Sequence, residues 1–208
     1  GYGNGSRQAS VEVYADPSAG FWQPAASLAV ARCYHTSTLL PSGDVLLTGG
    51  EGSGGALSSV ERYNTASNTW TSVASLSVAR QFQSATLLPS GKVLVVGGLR
   101  GSSFISTTEM YDPTENKWEV MAPSAAFCCH SATLLPSGQV LIAGHSFEDG
   151  MRLWTELYDP VAGTLTQTGD MNAAHTRHAA SLLDDGRVLV TGGIPADTSS
   201  AETYNPLT

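Results

Sequence analysis

Positive charge is scarce in this 208-residue chain: ten Lys and Arg stand against eighteen Asp and Glu, a formal net charge of −8. Neutralising phosphates takes a basic face, so nucleic acid is not an expected partner. Long apolar runs are missing too. No segment approaches the roughly 18 apolar residues of a membrane-spanning helix, and no apolar core behind a basic start marks a signal peptide. Membrane insertion is therefore not expected, although a removed leader would leave no trace. The three cysteines, Cys33, Cys128 and Cys129, are too few and too unevenly placed for a disulfide framework. Neighbours on a strand point to opposite faces, so Cys128 cannot easily bridge to Cys129. All three read as small buried hydrophobes. Charged residues make up only 13% of the chain while glycine reaches 22 residues, which leaves the surface to Ser, Thr, Asn and backbone. That balance suits many short strands joined by tight turns.

What the chain has in abundance is repetition. HTSTLLPSGDVLLTGG at residues 35–50 recurs as QSATLLPSGKVLVVGG from Gln83, HSATLLPSGQVLIAGH from His130 and HAASLLDDGRVLVTGG from His178, with starts 48, 47 and 48 residues apart. A second module runs between the copies: SSVERYNTASNTW at 58–70, STTEMYDPTENKW at 106–118 and LWTELYDPVAGTL at 153–165. Partial copies lie at the ends, ASVEVYADPSAGFW from Ala9 and SSAETYNPLT from Ser199. Each period holds four short strand candidates separated by turn residues, the unit of a propeller blade. In the first full period, strand a is expected over 34–40, b over 45–48, c over 60–63 and d from near Trp70. Pro41 presets a turn and Gly43 accepts a positive φ, which makes the a-to-b hairpin. Strand b is continuously apolar in every copy, as expected of a strand buried on both faces between neighbouring blades. The Gly pairs that close it (Gly49 and Gly50, Gly97 and Gly98, Gly192 and Gly193) permit a close turn where blades converge. Glu61 with Tyr63 and Glu109 with Tyr111 share one face of strand c, and that recurring pair is expected to be structural.

A Gly pair after an apolar strand, then Tyr, then Trp about seven residues on, at a period near fifty, resembles the kelch family. The wording HTxTLLPSGxVLVxGG followed by ExYDPxxxxW is similar to a bacterial form of the repeat and to the blades of galactose-oxidase-like propellers. The likeness covers residues 9–208 and implies an all-β kelch β-propeller, while the four a-to-b hairpins of the sequence count four four-stranded blades. Kelch propellers usually carry six or seven blades, so three arrangements stay open. One is a closed four-bladed ring, in which the N-terminal d strand near Phe21 and Trp22 completes the last blade. The others are part of a larger ring, and an open array completed by assembly as a homo-oligomer. Residues 1–8 are Gly- and Ser-rich without periodicity and read as linker or expression remnant.

Function on such a fold lies in its loops. Strands alternate in direction, so the d-to-a turns and b-to-c loops emerge on one rim, the expected binding face. Arg32, Arg80, Phe127 and His175 occupy one repeat position at the d-to-a turn, and Arg offers a rigid fork of donors for carboxylate. Tyr34, Phe82, Cys129 and Arg177 form a neighbouring layer that reads as channel lining, with Arg177 a ligand candidate. The b-to-c loops are unequal: 99–106 carries Arg100 and Phe104, while 145–154 carries Phe147, Asp149, Arg152 and Trp154. Exposed aromatics with a few charges suit a peptide or sugar surface. His35, His130 and His178 share a repeat position with Gln83 near the channel. Converging imidazoles could hold Cu or Zn, while a residue repeated in each blade also suits one repeated inter-blade hydrogen bond. The resemblance to galactose-oxidase-like enzymes implies a Cys-linked Tyr, a second Tyr and two His around copper, and no motif here assigns those roles. No nucleophile elbow, HExxH or Walker motif occurs. The expected function is a cofactor-free binding scaffold for a protein or carbohydrate, secreted or on a bacterial cell surface. A copper-oxidase-like enzyme and a self-assembling module are the alternatives.

Overall fold

Short turns join strand a to b and strand c to d, so each repeat folds back on itself as an antiparallel sheet. The computed structural model describes residues 1–3, 5–15, 20–125, 127–146, 152–173, 175–194 and 200–207. Blade 1 comprises strands a (Thr36–Leu39), b (Val45–Thr48), c (Val60–Asn64) and d (Thr69–Val73), hydrogen-bonded in that order. Blade 2 repeats the pattern with Ser84–Leu87, Val93–Val96, Thr108–Asp112 and Lys117–Val120. Blade 3 does so with Ser131–Leu134, Val140–Ser146, Arg152–Asp159 and Thr164–Gln167. No helix occurs among the described residues, and none is long and apolar enough to cross a membrane.

The fourth sheet has three strands where four were expected: Ala179–Leu182, Val188–Thr191 and Ala201–Tyr204. The N-terminal pair, Val11–Ala15 with Phe21–Ala25, is a c-d pair that joins no other sheet, so its d strand does not extend the fourth blade. It docks ahead of blade 1, where the Trp70 indole donates to the carbonyl of Ala26 at 2.8 Å. Its own Trp22 is 64% exposed, because no described blade precedes it. Residues 1–8, expected as linker, carry the short strands Tyr2–Gly3 and Ser6–Arg7. Arg7 pairs with Glu51, and the Gln8 carbonyl accepts from the Arg32 amide at 3.3 Å.

Burial follows from stacking. Strand b of blade 2, Val93 to Val96, is at most 1% exposed, flanked by blades 1 and 3. Strand b of blade 4 is only alternately buried, having a described neighbour on one face alone. Apolar clusters fill each junction: Leu46, Val60, Val95 and Tyr111 between blades 1 and 2; Leu94, Val96, Ile142 and Tyr158 between blades 2 and 3; Leu135, Leu141 and Val188 between blades 3 and 4. Each such side chain contributes about 1.5–3 kcal/mol on leaving water. The a strands neighbour one another in chain order, an arrangement consistent with a β-propeller.

A polar latch closes the outer edge where blade 1 meets the N-terminal pair and where blade 2 meets blade 1. Tyr63 donates to the Asn68 side chain at 2.9 Å, that same oxygen accepts from the Ala26 amide at 2.8 Å, and Trp70 reaches the Ala26 carbonyl. Blade 2 repeats it: Tyr111 to Asn116 at 2.9 Å, the Ala74 amide to Asn116 at 2.9 Å, Trp118 to the Ala74 carbonyl at 2.7 Å. Blade 3 has Gly163 and Leu165 in place of the Asn and Trp, and the Tyr158 hydroxyl is buried without a partner among the described residues.

Candidate binding face

The d-to-a connectors are fixed by the carboxylate that each c strand supplies. Glu61 accepts the Ala29 amide at 2.9 Å, Glu109 the Ser77 amide at 2.7 Å, Glu156 the Ala125 amide at 3.2 Å and Glu202 the Ala173 amide at 2.7 Å. The other carboxylate oxygen of Glu61 and Glu109 takes an arginine from the same connector, Arg32 at 2.6 Å and Arg80 at 2.5 Å. Each guanidinium also donates to three backbone carbonyls, those of Val30, Gly49 and Ser59 for Arg32 and of Val78, Gly97 and Thr107 for Arg80. The b-to-c links meet the connectors through the bridges Cys33 to Glu51, Leu57 to Arg80, Gln81 to Leu99 and Thr176 to Ile194. Both sets of loops therefore share one rim. The approach is tight: a Cβ added to Gly49 would lie 2.7 Å from the Arg80 carbonyl oxygen, and one on Gly50 2.6 Å from that of Cys33, at φ of +60° and +93°.

Where the connectors turn into the a strands, four non-glycine residues hold a left-handed backbone. They are Tyr34, Phe82, Cys129 and Arg177, with φ of +54°, +58°, +56° and +58°. Each costs about 1–3 kcal/mol and persists only where surrounding contacts impose it. Those contacts form a relay from blade to blade: the Phe82 amide donates to the Tyr34 carbonyl at 3.2 Å, Cys129 to Phe82 at 3.3 Å and Arg177 to Cys129 at 2.9 Å. The backbone is the same in every blade while the side chain changes. The Tyr34 and Phe82 rings stack with centroids 4.2 Å apart, and the Arg177 guanidinium lies 5.9 Å from the Phe82 centroid. With His35, Gln83, His130 and His178 beneath them, these four line a concavity of about 430 Å³.

The family model described as the kelch motif matches residues 32–77 and 85–124, which covers blade 1 and most of blade 2. The chain carries kelch repeats. No curated protein matches it.

Three rim candidates of this kelch chain are not at the surface. Arg32, Arg80 and His175 are fully buried, where sequence alone had placed them as ligand contacts. Their donors are spent on the fold: the two arginines as above, and His175 on the Gly192 carbonyl at 2.5 Å and Glu202 at 3.2 Å. In blade 3 Phe127 takes this place, and Glu156 accepts instead from the Trp154 indole at 3.1 Å. Burial, opposed by those hydrogen bonds, raises the Glu156 carboxyl. Trp154 is half-buried against the junction of blades 2 and 3. Arg100 and Arg177 are exposed and Phe104 is half-buried. Arg152 contributes backbone to strand c of blade 3, and Phe147 lies outside the described residues.

Two of the three metal candidates serve the junctions. His130 Nε2 meets the Ser84 hydroxyl of the preceding blade at 2.8 Å, and His178 Nε2 meets that of Ser131 at 2.7 Å. Gln83 makes the corresponding link by donating to the Thr48 carbonyl at 2.8 Å. Burial lowers the pKa of His35 to about 4 and of His130 to about 3, and lowers that of His178, so all three are neutral at pH 7. Among the described residues no three His, Cys, Asp or Glu side chains gather to hold a metal ion.

Cysteine chemistry was the signal the sequence concealed. Cys33 and Cys128 are buried, but Cys129 is half-exposed in the concavity, and all three are free thiols. A hydrogen bond with Cys128, and then Arg177, lower the Cys129 pKa to about 6 against the effect of burial. The face therefore carries a guanidinium, a half-exposed thiol of lowered pKa and a stacked aromatic pair within one shallow bowl.

Proposed function

We propose that this kelch-repeat chain is a binding scaffold whose partner protein docks on the axial bowl formed by Tyr34, Phe82, Cys129 and Arg177. Kelch motifs are commonly protein-binding scaffolds. The observation that carries the reading is the shared left-handed backbone bearing four unlike side chains. A purely structural turn would favour glycine or asparagine at such φ, whereas recognition needs the side chain displayed. Arg177 suits a carboxylate of the partner, and the Tyr34–Phe82 stack suits an apolar side chain beside it. Those two rings cover each other with a face apiece, which favours a protein segment over the flat stacking a sugar needs.

Glycine substitution removes each side chain without straining a positive φ, so Tyr34→Gly, Phe82→Gly and Arg177→Gly separate recognition from folding. Selection of a random peptide library displayed on phage should enrich sequences with an acidic residue beside an apolar one on the wild-type protein. The triple glycine variant should not retain them. Enriched peptides that bind both proteins equally would refute the axial bowl as the docking face.

A further inference from the structure

The junction between blades 2 and 3 lacks the polar latch of its neighbour. In the junction between blades 1 and 2, Trp118 fills the outer edge and Asn116 accepts from Tyr111. Leu165 and Gly163 supply neither group in blade 3. A groove of about 620 Å³ opens there, on the rim opposite the axial bowl, between Leu88, Met110 and Met121 on one side and Pro160 and Val161 on the other. That volume lies within the range of ligand sites. The fully buried Tyr158 packs in the same apolar cluster as the groove residues Leu88, Met110 and Met121, and its hydroxyl has no hydrogen-bond partner among the described residues. A Cβ on Gly163 would lie 3.7 Å from Met121 Cε, so a flexible thioether lies over the place the asparagine side chain takes elsewhere. Glu119 and Asp159 line the mouth, and Lys92, the groove's only cation among the described residues, is paired with Asp112 at 3.1 Å.

We propose that this groove takes a tryptophan side chain from a basic segment of a partner protein. The two intact latches define the occupant: an indole at the outer edge, and an oxygen that accepts from the tyrosine hydroxyl. A partner's indole fills the place of the missing tryptophan, its backbone carbonyl accepts from Tyr158 once Met121 moves aside, and Met110 and Met121 give sulfur contacts to the ring. The carboxylates of Glu119 and Asp159 select lysine or arginine on either side of it. Val161, 97% exposed, covers the ring from the solvent side.

The test is calorimetric titration of the whole chain with acetyl-Lys-Trp-Lys-amide, acetyl-Lys-Ala-Lys-amide and acetyl-Glu-Trp-Glu-amide. The first should bind saturably, and the other two at least tenfold more weakly. The double variant Gly163→Asn/Leu165→Trp rebuilds the latch seen in blades 1 and 2. It should raise the melting temperature and abolish binding, so loss of binding is separated from loss of fold. Tyr158→Phe removes no bond the free protein makes and should weaken binding at least threefold. Tyr34→Gly/Arg177→Gly should leave this binding unchanged whether or not the axial bowl is a docking face. Absence of saturable binding, equal binding of the alanine peptide, or binding that survives Gly163→Asn/Leu165→Trp or is unaffected by Tyr158→Phe would overturn the proposal. Self-association seen by light scattering and abolished both by filling the groove and by Trp22→Ala would overturn it in favour of a second copy as the occupant.

Discussion

Replacing Arg80 by methionine should cost about 3–5 kcal/mol, far more than a surface ion pair. The guanidinium donates to the carbonyls of Gly97 and Thr107 at 2.9 and 2.8 Å, to the Thr107 hydroxyl at 2.7 Å and to Glu109 at 2.5 Å. Both charged side chains are fully buried. Arg80→Met leaves a carboxylate inside the protein with no counter-charge, and breaking a buried pair from one side costs about 3–5 kcal/mol. Against a typical stability of about 5–15 kcal/mol this is a large fraction. The double variant Arg80→Met/Glu109→Gln should recover at least about 1 kcal/mol of it by removing the stranded charge. Blade 3 is the natural precedent, with Phe127 at the arginine position and Glu156 held by the Trp154 indole and the Ala125 amide. Urea unfolding followed by tryptophan fluorescence gives both numbers from the shift in midpoint at constant slope. A loss under about 1 kcal/mol, the size of an exposed pair, or a double variant no more stable than the single one would refute the reasoning.

Iodoacetamide should alkylate Cys129 with a rate that rises through pH about 6 and levels off near neutrality, because its thiolate forms at that pKa; Cys129→Ser should remove the fast phase. Stability should fall as the pH drops below 6.5. The folded imidazoles of His35 and His130 resist protonation down to about pH 4 and 3, so the unfolded chain binds more protons across that window. His130→Gln, which copies Gln83 at the same repeat position, should flatten this fall in pH-dependent urea midpoints. Asn116→Gly/Trp118→Leu converts the latch of blade 2 into that of blade 3 and should cost about 2–4 kcal/mol, mostly from the cavity left by the indole, read again from the urea midpoint.

The strands and their order were legible because repetition displays the same pattern four times. Val93 to Val96 reads as doubly buried from its unbroken apolar run, and the glycine pairs mark the close approach to the connectors. The fate of Arg32 and Arg80 was not legible from residue type, since arginine is rarely fully buried. A signal was present: Glu61 and Glu109 each lie 29 residues after their arginine, and Phe127 with Glu156 shows the same spacing with the cation lost. The left-handed residues gave no signal. Tyr, Phe, Cys and Arg all disfavour that conformation, and only the hydrogen-bond relay between adjacent blades imposes it. The three-stranded fourth sheet was hidden for a similar reason, since strand content can be read from a pattern while the partner of an edge strand is a matter of tertiary contact.

Fluorescence anisotropy titration of a phage-selected peptide against the wild-type protein and the Tyr34→Gly/Phe82→Gly/Arg177→Gly variant tests the axial bowl most directly. A bowl holding one binding hot spot or more predicts a loss of affinity of at least about 30-fold, equivalent to about 2 kcal/mol, with the circular dichroism spectrum unchanged. Affinities within threefold of each other would contradict it.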